Sequence, residues 1–264
     1  MTQPEAANHA VYFVPGLHRG LKVLETLGAS DEPLSLSEIA RALEISRSSA
    51  FRLVYTLRQM EFIKEAEQKN TYTLGARVLN LGFAYLNQQP MTAIARPHLS
   101  ALRDKVNISA HLSVLEGTDV LYLSSHQARA GYVSNMVTGT RQKAYASAIG
   151  WCLLSDLSEE ELRAFCSGQD MAAVTVHTPT DADMLIERVH DVVAKGYVYS
   201  KGFREPGGSS VAAPVRDARG RIVACVNISG PDGAFDETRI ESFYWPAVAE
   251  TAQHISRGLG YTGA

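Results

Sequence analysis

The sequence is short of the features that define several large functional classes. No apolar run reaches the roughly 20 residues of a membrane-spanning helix, and Gln3, Pro4, Glu5 and Asn8 do not form the basic and apolar regions of a secretory signal. The expected location is the cytoplasm, with no membrane partner. Cysteine is scarce. Cys152, Cys166 and Cys225 are an odd number at wide spacing with no C-x-x-C pair, so they read as buried reduced thiols. Neither charge dominates, because 25 Lys and Arg stand against 28 Asp and Glu. Low-complexity stretches and internal repeats are missing.

Catalytic signatures are missing too. There is no G-x-S-x-G elbow and no cysteine in a nucleophile's setting. The eight histidines are scattered without a metalloprotease pair, and His111, His126, His177 and His190 read as surface or satisfied core residues. Gly207-Gly208-Ser209-Ser210 lacks the lysine and following helix of a phosphate loop, and Ser147 reads as a helix residue near a pocket. The chain is therefore not expected to be an enzyme, and no cofactor, catalytic residue or metal ligand is expected.

What the sequence does contain begins at Ser35. Ser35 and Glu38 form an S-x-x-E capping box that starts a helix, in which Ile39, Ala40 and Leu43 share one face. After Glu44 and Ile45, Ser46 is a second cap. The helix that follows places Ala50, Leu53, Val54 and Leu57 on one stripe and Ser48, Phe51, Arg52 and Tyr55 on the other. It carries Arg47, Arg52 and Arg58 without one carboxylate. Phe62-Ile63 and Thr71-Tyr72-Thr73, separated by Glu67 to Asn70, read as a hairpin wing, and Leu17, Leu21, Leu24 and Leu27 supply an earlier helix.

This is the outline of a winged helix-turn-helix, whose second helix fits the major groove of DNA. Arg47, Ser48, Ser49, Phe51, Arg52 and Tyr55 are the candidate groove-reading residues, with Lys69 and Asn70 of the wing meeting backbone or minor groove. Residues 1–75 hold eight Lys or Arg against nine Asp or Glu, so phosphate attraction is modest. A winged module that contacts another protein, in a small-molecule-sensing or interaction protein, remains the alternative.

At 264 residues there is room for a second, larger domain. Helical spacing through Val78, Leu79, Phe83 and Leu86 stops at Asn87 to Pro90, which marks a connecting helix. Beyond it, a helix over Ala95 to Val106 leads to strands at His111 to Leu115, Val120 to Leu123 and Tyr132 to Val137. Helices follow at Ala144 to Leu154, Glu159 to Phe165 and Asp181 to Lys195, then strands at Tyr197 to Tyr199, Ser210 to Val215 and Ile222 to Ile228. A last helix from Glu237 to about Gly258 is expected to bend at Pro246. This order is α+β, with an antiparallel sheet hiding one face under helices and free to cup a ligand on the other. Asn227 and Ser229 alternate with Val226 and Ile228, so two polar side chains leave one face of an apolar strand. Ligand contact and bonding to neighbouring backbone or water both fit that pattern.

The ordered set of Pro15-Gly16-Leu17 to Leu27, the winged segment Leu36 to Leu74, Gly196-Tyr197, Val211-Ala212-Ala213-Pro214-Val215 and Ile228-Ser229-Gly230-Pro231 resembles the IclR family of bacterial transcriptional regulators over nearly the whole chain. The resemblance implies a tail over 1–15, a winged helix-turn-helix over 16–75, a linker helix over 76–92 and a GAF-like effector-binding domain over 93–264. It implies a homodimer or dimer of dimers on a double-stranded DNA operator of a catabolic operon, acting as repressor or activator. The effector, an organic acid or aromatic metabolite, would meet Tyr145, Ala148, Ile149, Ser200, Ser210, Asn227 and Ser229. The chain departs from the family where Tyr145 replaces a common His, Gly150-Trp151-Cys152 replaces Gly-Lys-Ala, and Ser200 replaces a frequent acid.

Overall fold

A computed structural model describes residues 11–129, 136–203 and 206–263. The chain divides into two compact units, Met1–Gln88 and Gln89–Ala264. None of the described helices is long and apolar enough to cross a membrane.

In the first unit, α1 (Pro15–Gly28) opens with proline at its first turn, where no N–H is needed, and buries Gly20, Val23 and Leu27. β1 (Leu34–Ser35) leads into α2 (Leu36–Ala42), whose capping box between Ser35 and Glu38 is formed in both directions. The turn to α3 (Arg47–Gln59) passes through Glu44 at φ 54° and ends on Ser46, whose side chain caps the helix. Ala50 and Val54 of α3 close on Val23, Leu27, Ile39, Ala40 and Ile63, a small core of the kind a three-helix module needs. The wing is β2 (Ile63–Glu65) and β3 (Thr71–Leu74), one to two residues later at its first strand than expected. β1 pairs with β3 to give the order β1-β3-β2, a third strand that the sequence reading lacked. α4 (Arg77–Asn87) follows Gly75, where a Cβ would stand 2.2 Å from the Glu61 carbonyl oxygen.

The second unit begins with α5 (Pro90–Val106), closed by Asn107 in the left-handed region at φ 54°. β4 (Ser109–Glu116) and β5 (Asp119–His126) form a hairpin whose two-residue loop begins at Gly117 with φ 62°. Of the strand expected over Tyr132 to Val137, residues 132–135 lie outside the described residues, and Met136 and Val137 are not strand. Instead β6 (Arg141–Lys143) pairs with β5. Its Arg-Gln-Lys sequence has no apolar alternation to announce it.

The helix expected over Ala144 to Leu154 is broken. A 3₁₀ turn covers Ala144–Ala146, Ser147 is extended with ψ 144°, and α6 spans only Ala148–Leu153. Ser147 is thus the cap of α6, accepting from Gly150 N–H at 3.1 Å, rather than a residue within a helix. α7 (Glu159–Cys166) starts with the expected Ser158 and Glu161 box, and α8 (Ala182–Lys195) runs from an Asp181 cap to Gly196 at φ 74°. β7 (Val198–Lys201), β8 (Gly208–Arg216) and β9 (Ile222–Pro231) complete a six-stranded antiparallel sheet of order β6-β5-β4-β9-β8-β7.

The last helix also begins later than expected. Glu237–Arg239 is a 3₁₀ turn, Ile240–Tyr244 a π turn, and α9 spans Trp245–Gly258. Pro246 therefore sits in a first turn, where its missing N–H costs nothing, and does not bend the helix. α9 packs on α5 and β8, while α6 to α8 cluster with Tyr122, Val198, Ala212 and Cys225 from the opposite face of the sheet. Cys152 and Cys225 are fully buried in that cluster. Cys166 is only half-buried, against expectation, because α7 lies at its margin.

Candidate functional site

The face of α3 away from the small core is open. Arg47, Ser48, Phe51, Arg52 and Tyr55 are exposed, and the Phe51 and Tyr55 rings lie 6.3 Å apart along it. The helix start is held by hydroxyls, with Ser46 Oγ accepting from Ser49 N–H at 3.2 Å and lying 3.0 and 2.9 Å from the Ser48 and Ser49 hydroxyls. Ser49 is half-buried beside α1 and departs from the exposed stripe. Among the described residues Arg47 and Arg52 make no ion pair, whereas Arg58 lies 3.6 Å from Glu65 of the wing. Lys69 and Asn70 form the exposed tip of that wing. Asn70, at φ 63°, donates its N–H to Glu65 Oε1.

A groove of about 540 Å³ runs between α1 and α3, lined by Leu17, Leu21, Leu24, Leu53, Leu57 and Met60, with Leu81 of α4 at its side. α4 buries none of its side chains; Leu79, Leu81 and Phe83 are each more than half exposed.

In the second unit, strand register gathers a row of polar residues on the sheet face beneath α6. Ser200 stands across from Ser210, Ser210 across from Ser229, and His111 across from Asn227. Asn227 Nδ2 donates to Ser210 Oγ at 3.2 Å, and His111 lies 3.1 Å from the Ser229 hydroxyl and 2.9 Å from Ser125 Oγ. Ser109, His111 and Ser113 were not foreseen as members, although their alternation along β4 is the same signal that marked Asn227 and Ser229.

Ala148 and Ile149 are buried on α6 in the cluster that covers this face. Tyr145 is drawn elsewhere. Its hydroxyl donates to the Ala172 carbonyl at 3.0 Å, its own carbonyl accepts from Trp151 Nε1 at 2.7 Å, and burial beside Asp170 pushes the phenol up. A cavity of about 320 Å³ ends against Ser109 and Ser229. Among the described residues no three His, Cys, Asp or Glu side chains converge as a metal site.

Comparison with known proteins matches this division of labour. Residues 16–67 fit the IclR helix-turn-helix domain and residues 83–257 the C-terminal domain of bacterial IclR transcriptional regulators. The Pca regulon regulatory protein of Pseudomonas putida is 29% identical over 252 residues, covering 94% of this chain and 84% of that protein. A crystal structure of a transcriptional regulator from Rhodococcus sp. RHA1 is 33% identical, covers 94% of this chain and 98% of its own, and superposes with a TM-score of 0.82. An IclR homologue from Microbacterium hydrocarbonoxydans, crystallised with 4-hydroxybenzoate, shares the fold at 23% identity and a TM-score of 0.79, covering 92% of this chain and 98% of its own. With both of its units matched in order, the chain belongs to the IclR family of bacterial transcriptional regulators.

Proposed function

We propose that this regulator controls a catabolic operon by binding its operator as a homodimer, or a dimer of dimers, and that a small metabolite alters that binding. The observation that carries the reading is the exposed, carboxylate-free face of α3 with Arg47 and Arg52 unpaired. In this reading Arg47, Ser48, Phe51, Arg52 and Tyr55 enter the major groove, Ser49 sets the helix start, and Lys69 and Asn70 touch the backbone or minor groove. The second unit is a GAF-like effector domain. Ser200, Ser210, Asn227 and Ser229 line its ligand face, Ala148 and Ile149 close it, and Tyr145 steadies the segment that leads into α6. No catalytic role is assigned, and the place of action is the cytoplasm, where the operator is.

A ligand on that face shifts operator affinity only by binding one dimer geometry better than another, moving two reading helices relative to half-sites about 34 Å apart or a multiple of that. The homologue crystallised with 4-hydroxybenzoate makes small aromatic metabolites a first class to screen.

Footprinting of the purified protein on the DNA flanking its own gene tests the proposal. A protected site is expected, and Arg52→Ala should weaken it about 10-fold to 100-fold, as the loss of one bidentate base contact does. Unchanged affinity in that variant removes Arg52 from the reading face. The near-even charge of residues 1–75 favours the second reading, a protein-binding wing, if no DNA is protected.

A further inference from the structure

The open face of α3 carries two rings that the small core does not use. Phe51 and Tyr55 are 54% and 53% exposed, while the core closes on Ala50 and Val54 from the other side of the helix. The two rings stand one turn apart, their centroids separated by 6.3 Å and their planes tilted by 32°, within the range in which aromatic pairs attract. Tyr55 therefore braces Phe51 from the following turn and narrows the directions its ring can take.

The same helix is short of other base-reading groups. In the major groove guanine is read by arginine, adenine by asparagine or glutamine, cytosine by a carboxylate acceptor, and thymine by apolar contact with its C5 methyl group. α3 contains no Asp, Glu or Asn, and its one glutamine, Gln59, is its last residue. Gln59 lies about 10 Å along the axis beyond Arg52, past the N-terminal turns from which such a helix reaches base edges. The hydroxyls are engaged, since Ser48 and Ser49 lie 3.0 and 2.9 Å from Ser46 Oγ and Thr56 Oγ1 donates to the Arg52 carbonyl at 2.9 Å. Arginine and aromatic carbon are what the face has left to offer.

We propose, on the reading of α3 as the helix that enters the major groove, that Phe51 selects thymine by packing its ring on the C5 methyl group, in the same half-site as a guanine held by Arg52. Burying one methyl group is worth about fourfold in affinity. With charge nearly even over residues 1–75, phosphate attraction contributes little, and contacts of this kind weigh more in the choice of site. Tyr55 acts through Phe51 as a positioning residue, by its ring and not by its hydroxyl.

The test uses the full chain on duplexes that it selects from a random-sequence DNA pool, resynthesised with deoxyuridine in place of one thymine at a time and compared at fixed salt. That exchange removes the C5 methyl group and leaves the O4 acceptor and the base pairing as they were. At one thymine in a half-site it is expected to lower affinity about fourfold. Phe51→Ala should bind the thymine duplex about fourfold more weakly and no longer distinguish it from the deoxyuridine one. Phe51→Leu should keep part of the difference, and Tyr55→Phe, which retains the ring, all of it. The comparison is read first with the unaltered protein, so it does not depend on a variant folding. A scan in which no thymine responds, with the selected duplex still bound, overturns the thymine reading and leaves DNA binding intact. A difference that persists undiminished in Phe51→Ala assigns the methyl contact to another residue and overturns it as well. Selection of no sequence from the pool overturns the operator binding on which the reading rests.

Discussion

Ser35 and Glu38 exchange hydrogen bonds at the start of α2, the serine oxygen accepting at 3.3 Å and the carboxylate accepting from Ser35 N–H at 2.7 Å. The side-chain hydrogen bond to Ser35, with the backbone one beside it, holds the Glu38 carboxyl below its ordinary value. A carboxyl lowered on folding stabilises the native state above its unfolded pKa of about 4.3, and that contribution fades as pH falls through the lowered folded value. Glu38→Gln should therefore leave stability less steeply dependent on pH on the acid side of about pH 4.3, as read by urea unfolding at a series of pH values. An unchanged slope would mean that the box is not maintained in solution. Both capping boxes were legible in the sequence because each is complete within four residues. The His111 to Ser229 contact was not, since its partners stand 118 residues apart and meet only through strand register.

Among the elements, α6 shows how one glycine sets a helix position. Gly150 packs against the preceding 3₁₀ turn so closely that a Cβ would lie 1.9 Å from the Ala144 carbonyl oxygen, a backbone atom that cannot swing aside. Gly150→Ala should destabilise the second unit by about 1–3 kcal/mol or more, the range for overpacking, and shift α6 over the polar sheet face beneath it. Denaturation monitored by Trp151 fluorescence, beside operator binding without ligand, would read both effects; an unaltered midpoint would contradict the close packing. Amphipathic helices such as α5 and α8 were readable from spacing and end signals. β1 and β6 were not, because elements of two and three residues carry no period and exist through their neighbours. The break at Ser147 was likewise hidden, as Ala, Ser and Ile alone do not tell a capped short helix from a longer one.

For the whole molecule, the uncovered side of α4 and the groove between α1 and α3 bear on assembly. α4 exposes Leu79, Leu81 and Phe83 and buries no side chain, so in the proposed dimer it is the face expected to meet the second copy. Phe83→Lys should shift sedimentation at micromolar concentration from dimer toward monomer and flatten cooperative operator binding, with the melting of the second unit unchanged. A dimer that persists in this variant places the interface elsewhere. The order of strands has a different consequence, one of timing. The two central strands of the large sheet, β4 and β9, lie side by side, yet more than a hundred residues of chain separate them. On the ribosome the front module can therefore be complete while the second unit still lacks one of its two central strands, so during synthesis the two halves are finished at different times, the helix-turn-helix half first.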